Sequence, residues 1–330
     1  MDEHVVGTTQ AERDLARGKE AKKKNMTFRD HLVNTDVQEI SGNRILEEVD
    51  RKDSIKDALA LFQKHRIQSL PVHNPVKQAH VAFLDVLDIM VFTLGIIQDV
   101  KAGTVTKEQA QEKWGKATCG ELADCSGRDP FSPVGLRTSV FSAIQKFVKW
   151  KAHRLPIIDP EGELIHLLSQ FRVIEYLEEH VGASPIASRT VGDLKLGYKD
   201  GVYSIKETQT VAEGFQVINE KKVYGIAVLN GEGRIVGNLS ASDIRRVVKD
   251  GALDFDVLAL SVSSFIKAGI QSDDRTIEGV VCVQASTTVE EVTMKFVVTK
   301  VHRLYVIDEN ERLLGIISTI DLLTQLSRDL

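Results

Sequence analysis

The 330-residue chain has few cysteines, few prolines and few aromatic residues, and it has no excess of basic charge. Its three cysteines are an odd number without zinc or redox spacing, so we expect a reducing compartment and no disulfide framework. The net charge of −5 argues against a general nucleic-acid binder, which is normally basic. The longest apolar-looking run, residues 86–97, contains Asp88 and is too short to cross a bilayer. With no secretory pattern at the N-terminus, we predict a protein of the cytoplasm, and also of the nucleus, that binds neither nucleic acid nor membrane.

Catalytic motifs are also missing from the sequence. It contains no Gly-rich phosphate loop, no G-x-S-x-G nucleophile turn and no kinase catalytic-loop set. The histidines are scattered and do not have the spacing of metal ligands. These absences predict a protein that is not an enzyme and that has no catalytic residues, no metal and no catalytic cofactor.

What the chain does contain is one α+β unit that occurs four times. The last copy has an apolar helical stripe in TTVEEVTMKFVVTKV, then two β-rich segments, RLYVID and LLGIIS, separated by the turn ENER. A second helix is predicted from Ser318. The same order occurs at 54–98, 138–180 and 210–250. Each unit offers only two good strands, so we expect units to pair and bury their sheets together.

These patterns predict the division of the chain. The predicted ranges are a polar tail at 1–30, unit one at 31–98, a linker at 99–130, unit two at 131–181, unit three at 182–250, a second linker at 251–279 and unit four at 280–330.

Two stretches, HRLPIIDPEGELIHLLSQFR at 153–172 and HRLYVIDENERLLGIISTID at 302–321, align without a gap but end in opposite charges. The unit resembles the cystathionine β-synthase (CBS) domain, which has G-x-x-[ST]-x-x-D where its last strand meets its last helix. Gly315, Ser318 and Asp321 match this motif in unit four, as do Gly237, Ser240 and Asp243 in unit three. CBS domains pair as Bateman modules, so the resemblance implies four CBS domains arranged as two Bateman modules in a pseudo-symmetric disc.

The combination of motifs narrows the resemblance. The chain is similar to the γ subunit of the AMP-activated/SNF1-type protein kinase in four features taken together: four CBS units, HRLP in the second, HRLY in the fourth, and Arg in place of Asp only in the second. Its sequence resembles plant-type γ subunits most. The resemblance implies a non-catalytic regulatory subunit that binds AMP, ADP or ATP. Its partners would be a catalytic α subunit and a scaffolding β subunit of the kinase.

The acidic residue of the motif has two interpretations. An Asp in the first turn of a helix suits the helix dipole and can pair with an N-cap residue such as Ser240 or Ser318. It can also accept hydrogen bonds from a ribose diol, which is the role that the resemblance implies. The predicted ribose-binding residues are Asp88, Asp243 and Asp321. Capping does not explain Arg172, because a cation in the first turn is unfavourable.

The γ-subunit resemblance implies that the cleft with Arg172 is empty of nucleotide. It also implies that His153, Arg154, His302 and Arg303 converge on the nucleotide phosphates, for which arginine offers a bidentate donor. Animal γ subunits have a further basic residue at the position of Gln68 and another at that of Phe171, so fewer phosphate contacts are expected here.

Two other functions remain open at the level of sequence. One is a free-standing CBS sensor of an adenosine derivative that acts on another enzyme or a transporter. The other is an interaction scaffold whose clefts hold no ligand. Co-purification with a kinase separates the first from a γ subunit, and calorimetry with adenine nucleotides separates the second.

Overall fold

The fold is described from a computed structural model for residues 26–42, 46–199, 201–249, 251–271 and 280–328. Most of the predicted tail at 1–30 and the end of the predicted linker at 251–279 lie outside these residues. None of the helices within them is long and apolar enough to span a membrane.

Four three-stranded sheets, one in each unit, form the frame. Their strands are β1 (Val49–Asp50), β2 (Ser69–Asn74) and β3 (Ala79–Asp85); β4 (Val134–Gly135), β5 (Arg154–Ile158) and β6 (Leu164–Ser169); β7 (Ser204–Lys206), β8 (Gly225–Leu229) and β9 (Ile235–Ser240); and, in unit four, β12 (Cys282–Val283), β13 (Arg303–Ile307) and β14 (Leu313–Ser318). A hairpin of β10 (Val248–Lys249) and β11 (Ala252–Leu253) follows unit three.

The four sheets share one topology. The central strand pairs parallel with a short first strand and antiparallel with the third strand, and the central–third pairing shifts register at the equivalent place in every unit. The sequence analysis missed the short strands, because two or three residues are too few to show an alternating pattern.

Helices flank the sheet of each of the four units. They are α1 (Phe28–Asn34), α2 (Val37–Ser41), α3 (Ile55–His65), α4 (Val86–Lys101), α5 (Lys107–Lys116), α6 (Cys119–Leu122), α7 (Val140–Trp150), α8 (Gln170–Glu178), α9 (Val191–Leu194), α10 (Val211–Glu220), α11 (Phe255–Ala259), α12 (Val262–Gln271), α13 (Val289–Thr299) and α14 (Thr319–Arg328), with 3₁₀ turns at Val181–Ala183 and Ala241–Arg246. In unit three the expected last helix is only this second 3₁₀ turn, because the chain then enters the β10–β11 hairpin.

The first long helix of each unit begins at a hydroxyl N-cap. The side chains of Ser54, Ser139, Thr210 and Thr288 each accept a hydrogen bond from the backbone N–H three residues further on. Each such cap contributes about 1 kcal/mol to helix stability.

Short segments are exchanged between consecutive units. The segment before unit one packs on unit two, the segment before unit two packs on unit one, and units three and four exchange segments in the same way. The exchange is marked by four antiparallel bridges, Asp36–Ser139, Ser54–Thr118, Thr190–Thr288 and Thr210–Ser261. The exchange defines two Bateman modules, units one with two and units three with four. The predicted unit boundaries stay a prediction, since a unit's packed residues are not one continuous range.

Two hydrophobic cores join the modules to each other. One core unites unit one with unit three and contains the buried rings of Phe62 and Phe215. The other unites unit two with unit four and contains Phe147 and Phe296. Segment exchange therefore links units one with two and three with four, and the cores link one with three and two with four. These links close the four units into a pseudo-symmetric disc.

Candidate ligand clefts and a central cation cluster

Each unit has a junction where its third strand becomes its last helix. The residue that ends the strand is Asp85, Ser169, Ser240 or Ser318, and the residue three positions later is Asp88, Arg172, Asp243 or Asp321. The strand register places the first residue of the central strand opposite the end of the third, as in the pairs Gly225–Ser240 and Arg303–Ser318. The register therefore puts the ribose position and the phosphate position of the repeat at the same end of each strand pair, and unit four has a predicted residue at both.

Asp321 keeps part of its carboxylate accessible. Its Oδ2 accepts the backbone N–H of Ser318 at 2.9 Å and the hydroxyl of Ser318, as a capping pair would. The ammonium of Lys199 lies 3.4 Å from the same oxygen, and the Asp321 side chain is 24% exposed. Within the described residues no hydrogen bond reaches Oδ1 of Asp321, so this oxygen can accept a hydroxyl of a ligand.

Asp243 has the same capping arrangement in a more enclosed place. Its Oδ2 accepts the N–H of Ser240 at 2.8 Å and the Ser240 hydroxyl at 3.1 Å. Arg246 lies 3.8 Å from Oδ1, and the side chain of Asp243 is buried. A ribose hydroxyl would have to share this oxygen with the Arg246 guanidinium.

Asp88 is enclosed on all sides. Its Oδ2 accepts the N–H of Asp85 at 2.9 Å, and its Oδ1 accepts the N–H of Ser126, also at 2.9 Å. Burial raises the pKa of the Asp88 carboxyl, and the hydrogen bonds from Asp85 and Ser126 oppose this effect. The structure thus shows capping together with a contact to the linker between units one and two.

Arg172 forms contacts within its own module. Its Nε donates to the carbonyl of Ile40 at 2.5 Å, and its Nη1 lies 3.1 Å from Glu175. The backbone N–H of Arg172 donates to the Ser169 hydroxyl, so the helix is still capped. Arg172, in the first turn of α8, therefore holds the segment that precedes unit one against unit two. An empty cleft at Arg172 stays a prediction.

The four predicted phosphate residues lie together where the modules meet. Electrostatic interactions link His153 with Arg154, His302 and Arg303, and His302 with Arg154. The ring of His153 lies 4.0 Å from the ring of Tyr224, the residue at the equivalent position of unit three. The cluster is therefore shared by units two, three and four, as expected for the centre of a disc.

The two arginines of this cluster are held by different acceptors. Arg303 of unit four donates from Nη1 to Oδ1 of Asn238 in unit three at 3.2 Å, and Tyr305 donates to the same oxygen at 2.6 Å. Gly225 leaves room for the guanidinium, because a Cβ there would lie 2.6 Å from Cζ of Arg303. Arg154 of unit two instead pairs with the buried carboxylate of Asp129 at 3.4 Å.

The pKa values of both histidines are lowered, which favours neutral rings at pH 7. Burial and the neighbouring cations lower the pKa of His153 to about 3. The same causes, with burial first, lower the pKa of His302 to about 4. His302 is nevertheless exposed to solvent, which moderates the shift of its pKa. An anion bound beside the cluster would reverse part of this effect, because it would stabilise both imidazolium forms.

The sequence analysis missed several residues of the site. Asn238 and Asp129 hold the two arginines, and Lys199 lies beside Asp321. Asn238 occupies a variable position of the junction motif, and Asp129 and Lys199 lie outside it. Asn238 and Lys199 reach their partners through contacts between units three and four, and Asp129 through a contact between the linker and unit two. Among the described residues, no three or more His, Cys, Asp or Glu side chains are grouped so that they could hold a metal ion.

A sequence profile of the CBS domain family matches residues 128–179, 191–250 and 275–328. These ranges cover half of the chain, and the chain belongs to the CBS domain family. Unit one lies outside the matched ranges but has the same sheet topology.

Curated relatives include γ subunits of 5′-AMP-activated protein kinase. The γ-3 subunit of Sus scrofa is 27% identical over 282 residues, which cover 82% of this chain and 52% of that protein. The γ subunit of Dictyostelium discoideum is 22% identical over 303 residues, which cover 89% of this chain and 51% of that protein. The chain is therefore a γ-subunit-like CBS protein, and it spans about half the length of the curated relatives that it matches.

Solved structures support the fold. A Methanocaldococcus jannaschii protein, described as a proposed archaeal homologue of γ-AMPK, superposes with a TM-score of 0.73 at 18% identity and covers 88% of this chain and 99% of that one. An uncharacterised conserved protein from Pyrococcus horikoshii gives a TM-score of 0.53 at 15% identity and covers 88% of this chain and 100% of that one.

Proposed function

We propose that this protein is the non-catalytic, regulatory γ-type subunit of an SNF1/AMPK-type Ser/Thr kinase and that it binds adenine nucleotides in its CBS clefts. The observation that carries the proposal is the meeting of His153, Arg154, His302 and Arg303 between the modules. The two arginines bring positive charge to this place and the two neutral histidines can each donate a hydrogen bond, so the cluster suits a bound anion. The curated γ subunits support the choice of kinase.

In the proposed binding mode, Asp321 and Asp243 accept the ribose hydroxyls and the central cations face the phosphates. Arg303 is oriented by Asn238, a neutral acceptor, so the arginine keeps its full positive charge for a phosphate. Asp129 offsets much of the charge of Arg154, which therefore attracts an anion less strongly. The two modules thus contribute unequally to phosphate binding.

Regulation would follow from linkage. A nucleotide held between the modules stabilises one arrangement of the disc relative to others, and a kinase partner that prefers this arrangement is shifted with it. The proposed partners are the catalytic α subunit and the scaffolding β subunit. Such a complex would act in the cytoplasm or the nucleus.

Two measurements test the proposal. A tagged pull-down with mass spectrometry should recover a kinase catalytic subunit, and a different enzyme or a transporter in its place would favour the free-standing sensor. Calorimetry of the purified chain should show that AMP binds more tightly than adenosine. A chain that binds no adenine nucleotide at millimolar concentration would leave the ligand-free scaffold as the better account.

A further inference from the structure

The linker between units one and two covers the strand–helix junction of unit one. We call residues 124–129 the linker cover. The Ser126 N–H donates to Oδ1 of Asp88 at 2.9 Å, and the Asp124 N–H donates to the carbonyl of Phe83 at 2.9 Å. The thiol of Cys125 lies 3.4 Å from the carbonyl of Asp88. The cover therefore contacts both the last strand and the last helix of unit one.

The carboxylates beneath the cover are enclosed and already accept hydrogen bonds from the backbone. Asp85 and Asp88 are each 2% exposed, and each accepts the backbone N–H of the other. The Ser126 N–H lies on Oδ1 of Asp88 and the Asp85 N–H on Oδ2, so both oxygens already have a backbone donor and the cover leaves no open approach for ribose hydroxyls. Asp321, in the equivalent place of unit four, is only half-buried.

The cover is also anchored at its far end. Asp129 is buried, accepts the N–H of His153 at 2.8 Å and pairs with Arg154 at 3.4 Å. Just beyond it, the ring of Phe131 packs 5.1 Å from the ring of Phe83 in β3. Module one therefore offsets its own phosphate-facing arginine with a carboxylate of the linker.

We propose that the linker cover acts as an internal ligand of unit one, so that Asp88 is a structural residue and adenine nucleotides bind in the second module. This inference rests on the proposed function, because it assigns the place of nucleotide binding. The repeat itself is altered where the cover lies. Unit one has Ser69 and Asp85 where unit four has Arg303 and Ser318.

Calorimetry with AMP on the full chain tests the inference through a matched pair of variants. Asp321→Asn removes an accessible acceptor, and the stoichiometry should fall by one. Asp88→Asn alters the covered carboxylate at the equivalent position, and the stoichiometry should equal that of the wild type. Loss of one binding event in Asp88→Asn, with a native far-UV spectrum, would overturn the inference.

Hydrogen exchange provides a second readout that does not depend on a folded variant. The Ser126 amide should be protected in the free wild-type chain, and its exchange rate should change by less than about twofold at saturating AMP. Loss of this protection with AMP would show that nucleotide displaces the cover, which the inference forbids. If the wild type binds no AMP, the proposed function fails, whereas fast exchange of Ser126 in the free chain contradicts the cover itself.

Discussion

Gly225→Ala tests whether Arg303 reads phosphate, without changing any charged residue. A Cβ at this position would lie 2.6 Å from Cζ of Arg303 and 2.9 Å from the backbone carbonyl oxygen of Leu239. The guanidinium is the end of a flexible side chain and must move away, and the start of β8 must also shift slightly from the Leu239 carbonyl. It then loses its position over unit three and its hydrogen bond to Asn238.

The expected magnitude follows from the bond that is lost. A charge-assisted hydrogen bond to a phosphate is worth roughly 1.5–3 kcal/mol, so AMP affinity should fall about 10- to 150-fold. Adenosine has no phosphate, and its affinity should stay within about twofold of the wild type. Crowding at the new methyl group should also cost about 1–3 kcal/mol of folding stability, which thermal unfolding would measure.

The control is Gly135→Ala, another strand glycine, whose added Cβ would have no atom within 4 Å. Calorimetry with AMP and adenosine on both variants gives four affinities, of which only that of Gly225→Ala for AMP should fall strongly. Equal losses for AMP and adenosine in Gly225→Ala would mean that the cleft is distorted as a whole. Unchanged AMP affinity would mean that Arg303 does not contact the phosphate.

Three further predictions concern pH, stoichiometry and turnover. Because the folded-state pKa of His153 lies near 3 and an unfolded histidine titrates near 6.5, stability should fall as the pH drops below 6.5, by about 2 kcal/mol at pH 5 from this residue. His153→Phe keeps a ring against Tyr224 and should lack this component, so equal pH slopes of urea unfolding in variant and wild type would refute the assignment. Arg172→Ala should leave the stoichiometry of AMP binding unchanged. Asp321→Ala should lower this stoichiometry by one and should cost only about 0.3–1 kcal/mol of folding stability. Unchanged stoichiometry in Asp321→Ala would mean that Asp321 serves only as a helix cap. The purified chain should hydrolyse no ATP and phosphorylate no peptide, and turnover that survives rigorous purification would exclude a regulatory subunit.

Much of the fold could be predicted from the sequence, because its strands and helices follow from local patterns that occur four times. The strand pairs and the junction motif recur at nearly constant spacing, and the sheets repeat the same topology and register shift. The exchanged segments could not be predicted in this way. They are short helices such as α6 and α9, and their partners depend on which unit lies beside them.

The candidate site shows the same limit at the level of single residues. Asp88, Asp243 and Asp321 occupy the same place in the repeat, and the motif alone assigns them one role, although unit one has Asp85 at the Ser/Thr position. The structure separates them by what lies above the carboxylate, which is the Ser126 N–H for Asp88 and Lys199 for Asp321. Exposure of a repeated residue is set by the non-repeated linkers, and only a three-dimensional structure reveals it.

The distribution of charge at the centre indicates where an anion would bind. Four arginines at the four equivalent positions would repel one another, and the chain has only two, with Ser69 and Gly225 at the other two places. In module one the arginine faces the buried carboxylate of Asp129, whereas in module two it faces the amide oxygen of Asn238. A carboxylate cancels the charge of a guanidinium, and an amide only orients it. The uncompensated positive charge therefore lies on Arg303, and a nucleotide phosphate entering the centre should be drawn toward the second module.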